Sequence, residues 1–231
     1  MTEAELGRCL DSTVRQYALW QHPLYQAWML GALTRDDLRE YSMEYYHHVA
    51  AFPAYLREFA RRLPAGELRH EVYQALCDVQ GQNLHGRQAH AVAWSTFASE
   101  LGADTAKLRD RKPLPKTQQL VDIFLELARS GSEAEALAAF YAYQSQAWRL
   151  AAHKAAALRN HYGINEDFLD YFVCCGESTV RHANVWRKQL FKIVDNDPSA
   201  ITYALIAAEL ASKALWRALD GIRARREYLM D

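Results

Sequence analysis

The sequence predicts an all-α chain folded as one bundle of seven or eight helices. Three observations lead there. The six prolines and ten glycines are few for 231 residues, and they cluster between long periodic segments. Half of the residues are apolar, enough for a sizeable core. The segments open on capping residues and close on glycines with short connections between them, as in a compact bundle spanning residues 1–231.

The elements follow in order. Thr2 with Glu5 forms a capping-box pattern before the first helix. A short second helix is expected from His22 to Leu30, stopping at Gly31. Thr34 caps a long helix through Ala60, with Asp36 and Asp37 in the first turn, where the helix dipole favours them. Pro53 lies inside that helix and is expected to kink it. The next helix is expected from Gly66 to Leu101, bent or broken at Gly81 and Gly86, and ending at Gly102. Pro115 to Ser130 forms another. Ser132 with Glu135 caps a helix reaching Tyr162 and stopping at Gly163. Asn165 is expected to cap the helix that runs to about Val194, and Pro198 to sit in the first turn of the last one.

Composition excludes several function classes. The formal net charge of −1 does not suit nucleic acid or an anionic membrane. The most basic run, Lys107 to Lys116, is broken by Asp110, Pro113 and Pro115 and reads as a solvated loop. Cysteines at 9, 77, 174 and 175 show neither CxxC spacing nor a disulfide framework, which fits a reducing cytosol. The first residues lack the basic start and apolar stretch of a signal peptide, and no run approaches the roughly 20 apolar residues of a membrane helix. A soluble, cytoplasmic protein is expected.

Chemistry-bearing residues recur at helical spacing. Asn83 and His90 are two turns apart on one face, as are Cys175 and His182, with Thr179 between them. Gln144 lies on another helix, ten residues before Lys154. Projected inward, they would form one polar cluster; alternatively each satisfies its own buried hydrogen bonds, and spacing alone favours this second reading. Lys154 likewise has two readings, a buried base or nucleophile or an ordinary helical lysine with its ammonium in water. Glu44 with His47, and Glu67 with His70, match the Glu-x-x-His pattern of ferritin-like diiron bundles, but first-turn exposure explains Glu67, and packing explains Glu44 and His47. Cys174 and Cys175 read as small buried hydrophobes rather than nucleophiles.

A longer pattern joins these pieces. It comprises His22-Pro23-Leu24-Tyr25-Gln26-Ala27-Trp28, Tyr45-Tyr46-His47-His48-Val49-Ala50-Ala51-Phe52-Pro53, His90-Ala91-Val92-Ala93-Trp94, Tyr141 to Gln146 with Lys154, and Phe172 to His182. In this order and spacing it resembles the haem-oxygenase-like proteins of the CADD, PqqC and TenA group, over nearly the whole chain. The resemblance implies a haem-oxygenase-like bundle. Many members of the group hold two irons. Asn83 and Gln144 stand where the resemblance places glutamates, and Cys175 and Thr179 where it places a histidine and an aspartate; only His90 and His182 match. Neutral amides and a hydroxyl do not balance the charge of two irons, so a diiron centre is not expected and no cofactor is required. A single zinc, copper or iron on His90, His182 and Cys175 is the remaining metal possibility.

The resemblance also aligns Tyr25 with a tyrosine that CADD-type enzymes are thought to consume in making 4-aminobenzoate, and Lys154 with the lysine linked to that chemistry. It implies a biosynthetic oxidase or oxygenase acting on a small aromatic or amino-acid-derived metabolite, by PqqC-like cofactor-free oxidation or CADD-like chemistry, with dioxygen as co-substrate. His90, His182 and Lys154 would then move protons, and Asn83, Gln144, Thr179 and Cys175 would line the substrate pocket. Two alternatives stand beside this one. A degenerate homologue would bind a small molecule or serve as a partner subunit, and a thiaminase-like hydrolase is disfavoured for want of the placed cysteine. A homodimer is expected from the resemblance.

Overall fold

Three capping boxes set helix starts. The side chains of Thr2, Thr34 and Ser132 accept from the backbone N–H of Glu5, Asp37 and Glu135, whose carboxylates accept in return from the cap N–H. They open α1 (Glu3–Arg15), α3 (Arg35–Arg62) and α7 (Glu133–Tyr162). The remaining helices are α2 (Pro23–Met29), α4 (Glu67–Val79), α5 (His90–Glu100), α6 (Pro115–Arg129), α8 (Asp170–Asn196) and α9 (Ala200–Met230). This computed structural model describes residues 1–82 and 88–230, without the side chains of 174–177 and 227–230.

The all-α class holds among the described residues, with nine α-helices where the sequence suggested seven or eight. The extra helix comes from the 66–101 segment. It divides into α4 and α5, and α4 ends where Gly81 takes the left-handed φ of 71°. Two predicted starts shift. Asn165 makes no side-chain cap and begins only a short 3-10 turn, Glu166–Phe168, so α8 starts after the buried Leu169. Pro198 precedes α9 rather than joining its first turn, because Asp197 Oδ1 accepts from both the backbone and the hydroxyl of Ser199 and holds a turn there. Helix α3 continues through Pro53 without interruption.

Helix α7 packs along both α8 and α9, and α3 packs along α4, α5 and α6. Helix α6 also meets α9, which closes the bundle. The core between these layers is strongly aromatic: Trp28, Tyr41, Tyr55, Phe97, Phe124, Phe140 and Trp186 are all fully buried. Among the described residues, no helix is long and apolar enough to cross a membrane.

Candidate active site

Helix α2 is pinned at its first turn. His22 Nδ1 accepts from the Leu24 N–H at 3.1 Å, and its Nε2 meets Asp220 Oδ1 of α9 at 3.2 Å. Burial pulls the His22 pKa down, and Asp220 partly restores it. With Pro23 fixing the following turn, Tyr25 is directed into the core, where only 1% of it is exposed.

Tyr41, Tyr45, His48 and Phe52 follow at spacings of four, three and four residues, on one face of α3. Trp94 of α5 donates its Nε1–H to the Ser42 carbonyl at 2.7 Å, which fixes α5 against that face. From the other side comes α7, whose Tyr143, Ala147, Leu150, Ala151 and Lys154 share a stripe. The two alanines leave room for the aromatic rings opposite.

Lys154 reaches into this room and is buried, which decides between its two sequence readings. Its Nζ donates to the Tyr41 hydroxyl at 2.9 Å, and that hydroxyl is 2.9 Å from the Tyr25 hydroxyl. Nζ also lies 3.8 Å from the centre of the Tyr25 ring, with Trp28, Tyr41 and Tyr45 within 5.6 Å. Such an aromatic cage suits an ammonium, because each ring offers its electron-rich face. Burial drives the pKa of both Tyr25 and Tyr41 far above the usual phenol value, so both are neutral phenols. The three groups form a continuous hydrogen-bonded path along which a proton can pass between the amine and the Tyr25 oxygen.

Beside them is a cavity of about 30 Å³. Tyr25, Tyr45, Trp94, Lys154, Tyr171 and Phe172 belong to its wall. That exceeds the roughly 10–15 Å³ that a single water needs. It therefore accommodates a water- or dioxygen-sized molecule, whereas pockets for metabolites enclose roughly 300–1,000 Å³.

Of the other sequence candidates, Gln144 and His182 form a second polar group outside that wall. Trp186 Nε1–H donates to Gln144 Oε1, which orients the amide so that its Nε2–H faces His182 Nδ1 at 3.2 Å. His182 Nε2 must then carry the hydrogen, and it donates to Asp78 at 2.7 Å. Arg181 pairs with the same carboxylate. Both nitrogens of His182 are thereby engaged. Thr179 is buried nearby in sequence on α8. His90 is half-buried and sits edge-on to Tyr171, with ring centres 5.8 Å apart, one layer behind the cavity. Asn83 lies outside the described residues, as does the side chain of Cys175.

The described side chains do not fit a diiron centre. Among the described residues, no three of His, Cys, Asp and Glu converge on one point. Asp78, the carboxylate that meets His182, also pairs with Arg181, and Gln144 contributes only a neutral amide. In the ferritin-like pairs, Glu44 Oε1 accepts from the Leu114 N–H, and Glu67 is exposed and binds Gln189 and Lys192.

A family model described as the TENA/THI-4/PQQC family matches residues 10–204. The chain belongs to the TENA/THI-4/PQQC family. It is 34% identical over 223 residues to a 4-aminobenzoate synthase of Nitrosomonas europaea, covering 92% of this chain and 89% of that protein. A 4-aminobenzoate synthase of Chlamydia muridarum is 30% identical over 213 residues, covering 91% and 87%. A pyrroloquinoline-quinone synthase of Granulibacter bethesdensis is 28% identical over 173 residues, covering 74% and 67%. Among solved structures, a heme oxygenase-like domain of unknown function from Shewanella denitrificans superposes with a TM-score of 0.82 at 14% identity, covering 100% of this chain and 96% of that one. A TenA homologue from Pseudomonas syringae gives 0.79 at 16% identity, covering 97% and 96%. The solved structures thus support the haem-oxygenase-like fold, and the curated relatives support a biosynthetic role of the CADD and PqqC kind.

Within that family frame, the sequence analysis missed two residues that organise the site. Tyr41, the bridge between Tyr25 and Lys154, lies one turn before Tyr45 on the same face of α3, and that spacing was its signal. Asp78, the partner of His182, is a lone carboxylate placed among Val72, Ala75, Leu76 and Val79, all buried on α4. A charge inside an apolar stripe signals a buried partner.

Proposed function

We propose that this chain is a CADD-type biosynthetic oxidase that makes a 4-aminobenzoate-type product from its own Tyr25, without a diiron centre. The observation that carries this reading is the contact of Lys154 Nζ with the Tyr25 ring and, through Tyr41, with the Tyr25 hydroxyl. A tyrosine side chain has its Cβ para to the phenol oxygen, just as 4-aminobenzoate has its carboxyl carbon para to nitrogen. The ring and one carbon of such a product are thus already present in the core. Making it requires cleavage of the Cα–Cβ bond, oxidation of Cβ and exchange of the ring oxygen for nitrogen. Dioxygen is the oxidant in this reading, and Lys154 is the amine placed to act as base or nucleophile at that ring.

The small cavity supports the same choice. Its described walls leave space for dioxygen beside Tyr25. His182 then acts by holding Gln144 and α8 in place rather than by moving protons at the ring, and His90 supports Tyr171. Such a protein would work in the cytoplasm, and a homodimer is part of the proposal. Sedimentation giving a mass of one chain only would remove that part.

The test uses the full chain, purified without oxygen and then exposed to air. The expected result is 4-aminobenzoate by liquid chromatography and an altered mass for the peptide holding Tyr25, with neither in Tyr25→Phe. Equal product from Tyr25→Phe would end the reading. Two irons per chain after loading with iron(II) would overturn its diiron-free form.

A further inference from the structure

A second concavity lies across the Leu19–Gln146 contact from the inner cavity. Gln146 Oε1 accepts there from the Leu19 N–H at 2.8 Å. Leu19 and Ala147 line the inner cavity, whereas the residues that follow them, Trp20 and Trp148, line the outer cleft. This cleft encloses about 220 Å³ between the last turns of α1, the 3-10 turn Leu19–Gln21 and α7.

Its charges do not balance. Two guanidiniums, Arg15 and Arg149, line it against one carboxylate, Asp11. Asp11 Oδ1 already accepts from the Tyr141 hydroxyl at 2.6 Å. Among the described residues, neither arginine has a carboxylate partner or an acceptor for its side-chain N–H groups. Arg149 is held by rings instead. Its guanidinium carbon lies 5.6 Å from the ring centres of both Trp20 and Trp148. The indole faces attract the cation but do not supply the oxygen acceptors for which its N–H fork is shaped. The cleft therefore favours an anion, and it presents a positioned donor set for one. Trp20, Trp148 and Val14 give the rest of the wall an aromatic and aliphatic character. A small inorganic anion uses only the guanidiniums. A carboxylate carried on a flat ring uses both features, because two parallel N–H bonds match the carboxylate and an indole matches the ring.

We propose that this cleft binds a small aromatic carboxylate, with the carboxylate on Arg149, Arg15 adding positive charge, and the ring against Trp20 and Trp148. The volume, below the roughly 300–1,000 Å³ of pockets for larger ligands, suits a single ring. The site goes beyond the proposed oxidation and does not depend on it.

The test is a titration of the full chain, nitrogen-labelled at tryptophan, followed by NMR at the indole N–H signals. Benzoate is the probe. Benzamide, an uncharged analogue of the same shape, and acetate, which has no ring, are the controls. The expected result is saturable shifts at the Trp20 and Trp148 indoles with benzoate, with each control about tenfold weaker or more. Arg149→Gln changes an exposed side chain and is expected to weaken benzoate about tenfold, the loss of one charge-assisted contact. Benzoate affinity is also expected to fall as salt is raised. No saturable shift with benzoate overturns the proposal. So does equal binding by benzamide or acetate, unchanged affinity in Arg149→Gln, or affinity that salt does not alter. Shifts confined to Trp94, which lines the inner cavity, overturn it as well. None of these outcomes bears on whether Tyr25 is consumed.

Discussion

Replacing His48 with leucine should flatten the acid side of the stability profile. His48 is fully buried in a cage formed by Tyr45, Phe52, Tyr55, Phe124 and Tyr143. Its Nδ1 meets the Tyr55 hydroxyl at a long 3.5 Å, and its Nε2 has no hydrogen-bond partner. Burial alone pushes its pKa from 6.5 down to about 3. Between those values the unfolded chain takes up a proton that the folded chain refuses. Stability therefore rises with pH from about 3 to 6.5 and is lost as pH falls through that window. Each pKa unit is worth about 1.4 kcal/mol, so lowering the pH from 7 to 5 costs the folded state about 2 kcal/mol through His48. Two walls of the inner cavity, Tyr45 and Tyr143, lean on this imidazole, so acid also loosens the site. Urea unfolding at pH 7 and pH 5 measures the effect. His22 and His47 are also pulled down by burial and add the same sign, but they remain in the variant and cancel in the comparison. The wild type should lose about 2 kcal/mol more than His48→Leu over this interval. Equal losses, or an NMR titration of His48 with a midpoint near 6.5, would refute the argument.

Two further predictions concern the polar groups of the core. Tyr41→Phe removes the oxygen that joins Lys154 to Tyr25, a charge-assisted hydrogen bond worth about 1.5–3 kcal/mol, and should slow product formation about 10- to 100-fold while Tyr25 stays in place; an unchanged initial rate would remove Tyr41 from the path. Asp78→Asn keeps an acceptor for His182 but leaves Arg181 without its counter-charge, and should lower unfolding free energy by about 1–3 kcal/mol in urea. Arg181→Gln, at a side chain 58% exposed, should cost less than about 1 kcal/mol, and a reversed order of the two losses would show that Asp78 is not the anchor.

Much of the local architecture was legible in the sequence because helix starts and stops are local chemistry. A capping box needs only two residues three apart, and the boxes read at Thr2 and Ser132 formed, while the cap read at Thr34 is a third box with Asp37. Asn165 shows where that logic fails. It is a good cap by residue type, yet its side chain makes no cap and α8 begins only at Asp170, after the buried Leu169. The turn that directs Tyr25 inward, formed by His22 and Pro23, was not legible, and only the resemblance had singled that tyrosine out.

By itself, the sequence determined the helical bundle and its principal caps, and only the family resemblance singled out Tyr25 and Lys154. Only the tertiary structure decided that Lys154 is caged rather than solvated, and that Tyr41 joins it to Tyr25. The same holds for His182, which faces Asp78 and Gln144, and for the small cavity that opens beside Tyr25 and Lys154. The physical reason is distance along the chain. Periodicity tells which side chains share a face of one helix, but Lys154 and Tyr41 are 113 residues apart and His182 and Asp78 are 104 apart. Their meeting depends on how α3, α4, α7 and α8 pack, and that packing is set by the volumes of many side chains at once.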